Sequence, residues 1–215
     1  MDENVLVTMR PHLRGRLHQI AFVASVAGLV WLVRSASSTR ATVAAWIYGI
    51  AAVLLYLTSS TYHVFARSPR FRRVMQRADH SMIFVLIAGS FTPVCILALT
   101  GPWRWVLLAA MWAAAIGGVV LKLVALDRFP RLGNAMYIVL GWAGLGALPS
   151  LIHRPQTLAL IVAAGTLYTA GAVLFWMGWP RLSPRWFSYH EVWHTFVTAA
   201  GALLFTVNLG LVRAG

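Results

Sequence analysis

Acidic residues are scarce in this sequence, and so is charge in general. Five Asp and Glu residues occur among 215 residues, and charged residues make up 11% of the chain. A soluble domain carries roughly a quarter charged residues, which it needs to cover its surface. Because 60% of the residues are hydrophobic, the composition excludes an ordinary soluble domain and indicates an integral membrane protein.

Cysteine is nearly absent as well. The single Cys95 excludes an intrachain disulfide and gives no information on the redox compartment. Because Cys95 lies within an apolar run, we interpret it as a small packed side chain.

Basic residues are the one abundant charged class, with 18 Lys and Arg and a net charge of +13. In a soluble protein this excess would suggest nucleic acid as a partner. Here the basic residues lie between apolar runs, which is typical of charge that faces the cytoplasm and anionic lipid. We therefore expect membrane lipids and no nucleic acid as partners, and the oligomeric state stays open.

Seven apolar runs are each about long enough to span a bilayer as a helix. The fold class predicted is an all-α bundle of seven transmembrane helices in a single domain over residues 1–215. The predicted helices cover residues 17–33, 41–66, 79–101, 104–123, 132–152, 156–179 and 188–212. Pro93 lies inside the third of these helices and is expected to kink it.

The distribution of Lys and Arg predicts the orientation of the bundle. With the N-terminus in the cytoplasm, 13 basic residues fall on the cytoplasmic side and 5 on the outer side. The positive-inside rule then favours a cytoplasmic N-terminus and a C-terminus outside. The expected location is the inner (plasma) membrane, crossed several times.

A few ionisable residues lie in or next to the apolar runs, where charge is costly and usually serves function. Helix direction places the end of the second helix and the starts of the third and seventh at one predicted membrane depth, toward the cytoplasm. The main residues there are His63, Asp79, His190 and His194.

The spacing of His190 and His194 puts both imidazoles on one face of a helix. Such a pair can share one metal ion, and His63 would add a third ligand. Three protein ligands with one position open for water is the arrangement of catalytic zinc. Asp79 would then hydrogen-bond that water or receive its proton.

Ser59 and the other polar residues have less specific interpretations. Ser59 lies one turn before His63 and would hydrogen-bond the same water or a substrate carbonyl, or else bond its own helix. His80 points about 100° away from Asp79 and is expected at the membrane interface. Glu191 is expected to cap the seventh helix. The role of His18, at the start of the first helix, stays open, and His12 and His153 are expected to be solvated.

Three segments carry a resemblance to a known family. They are Ser59-Ser60-Thr61-Tyr62-His63, Asp79-His80-Ser81 running to Phe91-Thr92-Pro93, and His190-Glu191-Val192-Trp193-His194. In this order they resemble the hemolysin III family, the bacterial branch of the progestin and adipoQ receptor superfamily. The resemblance implies a seven-helix bundle and a Zn²⁺ ion held by His63, His190 and His194, with Asp79 and Ser59 beside the water. The Arg14-Gly15-Arg16-Leu17-His18 stretch keeps the family's His but lacks its Asn and Thr.

Two functions remain open at this stage. The superfamily includes ceramidase-like hydrolases, so the resemblance implies zinc-dependent hydrolysis of a lipid amide that enters an intramembrane cavity. The alternative is a non-enzymatic protein of membrane homeostasis or sensing, in which the zinc is structural. A pore-forming haemolysin is disfavoured because the sequence has no amphipathic segment that could insert later. A transporter is disfavoured because the ionisable residues gather at one end.

Overall fold

The computed structural model describes residues 11–126, 128–183 and 185–215, the side chains of positions 130 and 131 excepted. Its architecture is all-α, and seven long helices account for most of the described chain. We label these helices α1 Arg16–Ser35, α2 Thr39–Ser60, α3 Pro69–Pro93, α4 Trp103–Ala125, α5 Pro130–Ala143, α6 Pro155–Met177 and α7 Tyr189–Ala214. A 3₁₀ turn, Gly144–Ala147, and a short helix, Leu148–Leu151, complete the span that α5 begins.

The seven-helix prediction is confirmed, and the protein is a multi-pass membrane protein with seven candidate spans. Large apolar side chains cover the outside of the bundle, which is the reverse of a soluble helical protein. Val23, Val124 and Val139 are 68%, 76% and 70% exposed, respectively. Such a surface is compatible with lipid rather than water. The orientation of the bundle stays a prediction.

The third helix begins at Pro69 rather than at position 79. Pro69 occupies the first turn, and the Ser68 hydroxyl accepts a hydrogen bond from the Phe71 N–H. This is a typical helix start, with a capping serine followed by proline. The arginines at positions 70, 72, 73 and 77 are therefore part of a helix that continues beyond the apolar run.

Two helices change their hydrogen-bonding pattern before they end. α2 passes into a π-helical segment, Thr61–Phe65, and α3 passes into another, Val94–Ala98, directly after Pro93. Proline removes one backbone donor and so loosens the local α-helical ladder. π-helical turns of this kind are frequent at functional sites, and the first of them carries His63.

α3 lies in the centre of the bundle and packs between α2 and α4. Its aromatic side chains Phe84 and Phe91 fill the core because glycines on neighbouring helices allow close approach. A methyl group on Gly118 of α4 would overlap the ring of Phe84, and one on Gly144 would overlap Phe91. Small residues at helix contacts are the usual packing solution in membranes.

The alternating helix directions bring seven helix ends to one side of the bundle. The starts of α1, α3, α5 and α7 lie there together with the ends of α2, α4 and α6. His63, Asp79, His190 and His194 all belong to these ends. The fold therefore places residues that are far apart in sequence at one depth.

Candidate metal centre and its cavity

α7 begins with a capping arrangement that fixes its first turn. The Glu191 carboxylate accepts a hydrogen bond of 2.7 Å from the Ser188 backbone N–H, which confirms the predicted capping role of Glu191. A carboxylate near a helix N-terminus is also favoured by the helix dipole. His190 and His194 follow on the first two turns, so their imidazoles project from a well-defined helix start.

Three imidazoles converge at this end of the bundle. The Nε2 atoms of His63 and His190 lie 3.3 Å apart, and one nitrogen from each of His63, His190 and His194 falls within 4.8 Å of the others. The His63 side chain is 6% exposed and His194 is 2% exposed as a residue. The predicted convergence of α2 and α7 on one point is therefore present.

This donor set fits a metal ion. Zinc–nitrogen bonds of about 2.0–2.1 Å in a tetrahedron place two ligand nitrogens about 3.3 Å apart, and the His63–His190 separation of 3.3 Å matches that edge. The His194 Nδ1 atom is buried and has no hydrogen-bond partner among the described residues. The three-His cluster can hold a metal ion, whose identity the geometry does not specify.

Asp79 borders the same cluster. Its Oδ2 atom lies 3.7 Å from His63 Nε2, and the residue is 9% exposed on α3. This distance is longer than a direct hydrogen bond. A buried carboxylate this close to three imidazoles is expected to interact with whatever occupies the space between them.

Ser59 and His18 form a second layer behind the cluster. The Ser59 Oγ atom lies 2.7 Å from His18 Nδ1, and both residues are buried. The His18 ring is stacked on the His194 ring, with centroids 3.9 Å apart and an interplanar angle of 8°. The sequence left the role of His18 open, and the structure places it in contact with both Ser59 and a proposed ligand.

The segment before α1 packs against the three-His cluster. Gly15 has a φ of +80°, a conformation that favours glycine. A Cβ atom at this position would lie 2.6 Å from the Cβ atom of His63. Next to it, Arg14 forms an ion pair of 2.8 Å with Glu191, whose side chain is 1% exposed. The Arg14-Gly15 pair thus joins the start of α1 to the end of α2 and the start of α7.

The interface position predicted for His80 is wrong. His80 faces α5, where the Tyr137 hydroxyl donates a 2.8 Å hydrogen bond to the His80 carbonyl, and it lines an internal cavity. The physical reason is that α5 covers the face of α3 that a helical-wheel argument assigns to lipid. His12 and His153 are exposed, as predicted.

Lys122 is a buried cation that the sequence analysis did not single out. It lies inside α4 and is 2% exposed. Its Nζ atom donates a 3.2 Å hydrogen bond to Asn134 Oδ1 and lies 5.1 Å from the centre of the Tyr137 ring. The signal available in the sequence was the position of Lys122 within an otherwise apolar run.

A cavity of about 180 Å³ opens beside the three-His cluster. Its polar wall carries the three imidazoles, and its remaining surface is mostly apolar. A second cavity of about 100 Å³ continues from it, shares Tyr137, Trp193 and Val197 as walls, and extends between Phe91 and Trp142. Both cavities are mostly apolar, and the first carries the polar wall.

Comparisons with known proteins show the family of this chain. Residues 7–205 match the family described as "Haemolysin-III related". "Hemolysin-3" of Bacillus cereus is 35% identical over 193 residues, covering 87% of this chain and 85% of that protein. The "Hemolysin-3 homolog" of Bacillus subtilis (strain 168) is 31% identical over 87% of both chains. The human "Monocyte to macrophage differentiation factor" is 24% identical, covering 86% of this chain and 77% of that protein.

Proposed function

Because the chain belongs to the haemolysin-III related family, we propose that it is a zinc-dependent membrane hydrolase that cleaves a lipid amide. The observation that carries this proposal is the convergence of His63, His190 and His194 with Asp79 in the wall of a mostly apolar cavity. Acid–base groups and a metal-binding set rarely occupy one buried site without a functional reason.

The metal would be held by the three imidazoles. When bound, zinc would supply Lewis acidity and lower the pKa of a water in its open coordination position. Zinc is proposed over other divalent ions because three nitrogen ligands with one open position is its usual catalytic arrangement. His18 would restrain the His194 ring through the stacked contact of 3.9 Å.

Asp79 would act as the general base and then as the general acid. It would accept a proton from the attacking water as the water oxygen adds to the amide carbonyl carbon. It would then return the proton to the nitrogen as the C–N bond breaks, which releases a fatty acid and an amine. Its position 3.7 Å from His63 Nε2 puts it within reach of a water beside the ligand set.

Ser59 would orient the substrate. A hydroxyl both donates and accepts hydrogen bonds. The Ser59 Oγ atom lies 2.7 Å from His18 Nδ1, and the hydroxyl also hydrogen-bonds the Asp79 carboxylate, so Ser59 would position Asp79 as well as the substrate carbonyl. The acyl chain would extend into the second cavity, between Phe91 and Trp142. Under the predicted orientation, the reaction would take place near the cytoplasmic surface of the inner membrane.

The test is release of fatty acid from ceramide and other lipid amides by purified protein in bilayers with zinc. Asp79→Asn is expected to abolish turnover while the zinc content stays at that of the unsubstituted chain. His153→Ala is the matched control, since His153 is exposed at the other end of the bundle. Turnover unchanged in Asp79→Asn, or absent across a broad panel of lipid amides, would refute the proposal.

One observation favours a second function, a non-enzymatic membrane protein with a structural metal. The three imidazoles come from the end of α2 and the start of α7, so a bound ion would cross-link two helices. Structural metals stabilise folds in this way. Metal removal would then lower the melting temperature, and Asp79→Asn would affect no lipid turnover because none would exist.

A further inference from the structure

The cavity beside the three-His cluster has a further polar group in its wall. Asn134, near the start of α5, lines the cavity and is half-buried. Its Oδ1 atom accepts a hydrogen bond of 3.2 Å from Lys122. An ammonium group donates hydrogen bonds and accepts none. The Asn134 carboxamide is therefore oriented with its oxygen toward Lys122, and its NH₂ group is left for the cavity.

Lys122 is held firmly enough to impose this orientation. It is 2% exposed, and its ammonium group is bounded by the Tyr137 ring at 5.1 Å and by Gly133. A Cβ atom on Gly133 would lie 2.5 Å from Nζ, so the ammonium group packs directly against the Gly133 backbone. A buried lysine is costly, and its carboxamide partner is one residue from this glycine. The contact of Lys122 with Asn134 and Gly133 therefore joins the end of α4 to the start of α5.

His80 is another polar residue of this cavity wall. His80 lines the cavity, and its Nδ1 atom is buried without a hydrogen-bond partner among the described residues. The Tyr137 hydroxyl is already committed to the His80 carbonyl. The polar group that this wall offers to a ligand is therefore the Asn134 NH₂.

We propose that Asn134, oriented by Lys122, is a specificity-determining residue that donates a hydrogen bond to a hydroxyl oxygen in the polar head of a lipid amide. The proposal rests on the proposed function for the identity of the ligand class. In it, Lys122 is a positioning residue that acts through Asn134 and does not touch the lipid. The three-His end would receive the amide carbonyl, and the Asn134 wall would recognise a hydroxyl beyond the amide nitrogen.

The probes are two amides that differ by one group. N-Decanoylethanolamine ends in a hydroxyl, and N-propyldecanamide has a methyl group in its place. Binding is measured by quenching of tryptophan fluorescence, since Trp176 and Trp193 line the cavity. The full-length Asp79→Asn protein in nanodiscs is used, so that binding is read without turnover. The hydroxylated amide is expected to bind about threefold to tenfold more tightly, the factor that one net hydrogen bond corresponds to.

Substitutions test whether Asn134 causes the preference for the hydroxylated amide. Asn134→Ala is expected to abolish the preference for the hydroxylated amide. Lys122→Met is expected to reduce it, since the Asn134 carboxamide can then rotate by about 180°. Asn208→Ala is the matched control, because Asn208 is a buried asparagine on α7 that lines neither cavity. It is expected to lower stability and to leave the preference unchanged.

The possible results separate this proposal from the catalytic one. Equal binding of the two amides, no binding of either, or a preference that survives Asn134→Ala would each overturn the role of Asn134. A clear preference in Asp79→Asn, when the unsubstituted chain hydrolyses neither amide, would support the role of Asn134 and count against the hydrolase. Hydrolysis of both amides at equal rates by the unsubstituted chain, with equal binding of both to Asp79→Asn, would do the reverse.

Discussion

The His18 ring lies flat against the His194 ring, 3.9 Å between centroids, while its Nδ1 atom lies 2.7 Å from Ser59 Oγ. One residue of α1 therefore contacts a candidate ligand on α7 and a polar residue on α2. Residues that hold metal ligands in place are often as important for affinity as the ligands themselves.

Replacing His18 tests this relationship. His18→Phe keeps an aromatic ring against His194 and removes the contact with Ser59. We expect the affinity for zinc to fall about tenfold, as is typical when a supporting contact of a ligand is lost. The measurement is competition with a chelator of known affinity. An affinity equal to that of the unsubstituted chain would show that the contact with Ser59 has no part in holding the ligand.

Removing the ligands themselves should remove the metal. His63→Ala, His190→Ala and His194→Ala are each expected to lower the metal content of purified protein from one ion per chain to near zero. Metal analysis by mass spectrometry measures this, with His153→Ala as the control that retains the ion. Retention of a full equivalent by all three variants would mean that the ion, if any, binds elsewhere.

Stripping the metal should also lower stability. An ion that binds only the folded chain contributes about 2.7 kcal/mol when its concentration is 100 times its Kd. Chelation is expected to lower the melting temperature of the unsubstituted protein, and zinc to restore it. The same treatment should leave the melting temperature of His194→Ala unchanged, which distinguishes a site effect from a general effect of the chelator.

Gly15 supports a prediction with an internal control. Gly15→Ala introduces backbone strain and also brings a methyl group 2.6 Å from the His63 Cβ atom. We expect lower stability and weaker metal binding. Gly101→Ala introduces similar strain, since Gly101 has a φ of +66°, but its Cβ would meet nothing within 4 Å. It should lower stability slightly and leave metal binding intact. Equal metal affinity in the two variants would contradict the role of the Gly15–His63 contact.

The ion pair of Arg14 and Glu191 gives a prediction on stability alone. Removing one partner of a buried pair leaves an uncompensated charge and costs about 3 kcal/mol. Glu191 is 0% exposed, whereas the Arg14 side chain is 20% exposed. Arg14→Met is therefore expected to lower the melting temperature more than the double variant Arg14→Met with Glu191→Gln. A thermal unfolding series of both single variants and the double variant measures the coupling.

The number of helices was predictable because a bilayer imposes a simple rule on sequence. Spanning requires about 20 apolar residues, and each such run is visible. The start of α3 was not found because its first turns carry four arginines and lie beyond the apolar run. Arginines lower the local hydropathy but are compatible with a continuous helix. The serine and proline at positions 68 and 69 were the signal that marked the true start.

The sequence predicted which residues form the candidate metal site because their positions depend on helix direction alone. Helix direction brings His63, Asp79 and the α7 pair to one end, whatever the rotation of each helix. His80 and Lys122 could not be placed, because their surroundings depend on how α5 packs across α3 and α4. The buried hydrogen bond between Lys122 and Asn134 joins two helices, and no spacing along one chain segment predicts it.

Cys95 is the only cysteine of the sequence, and it is 0% exposed in the bundle core. The unsubstituted chain should therefore not react with membrane-impermeant thiol reagents. A cysteine introduced at Ser68 or at His153 would report alone on which compartment it faces, and the two should label from opposite sides of the membrane. A single buried thiol thus makes the sidedness of all seven helices directly readable in intact cells.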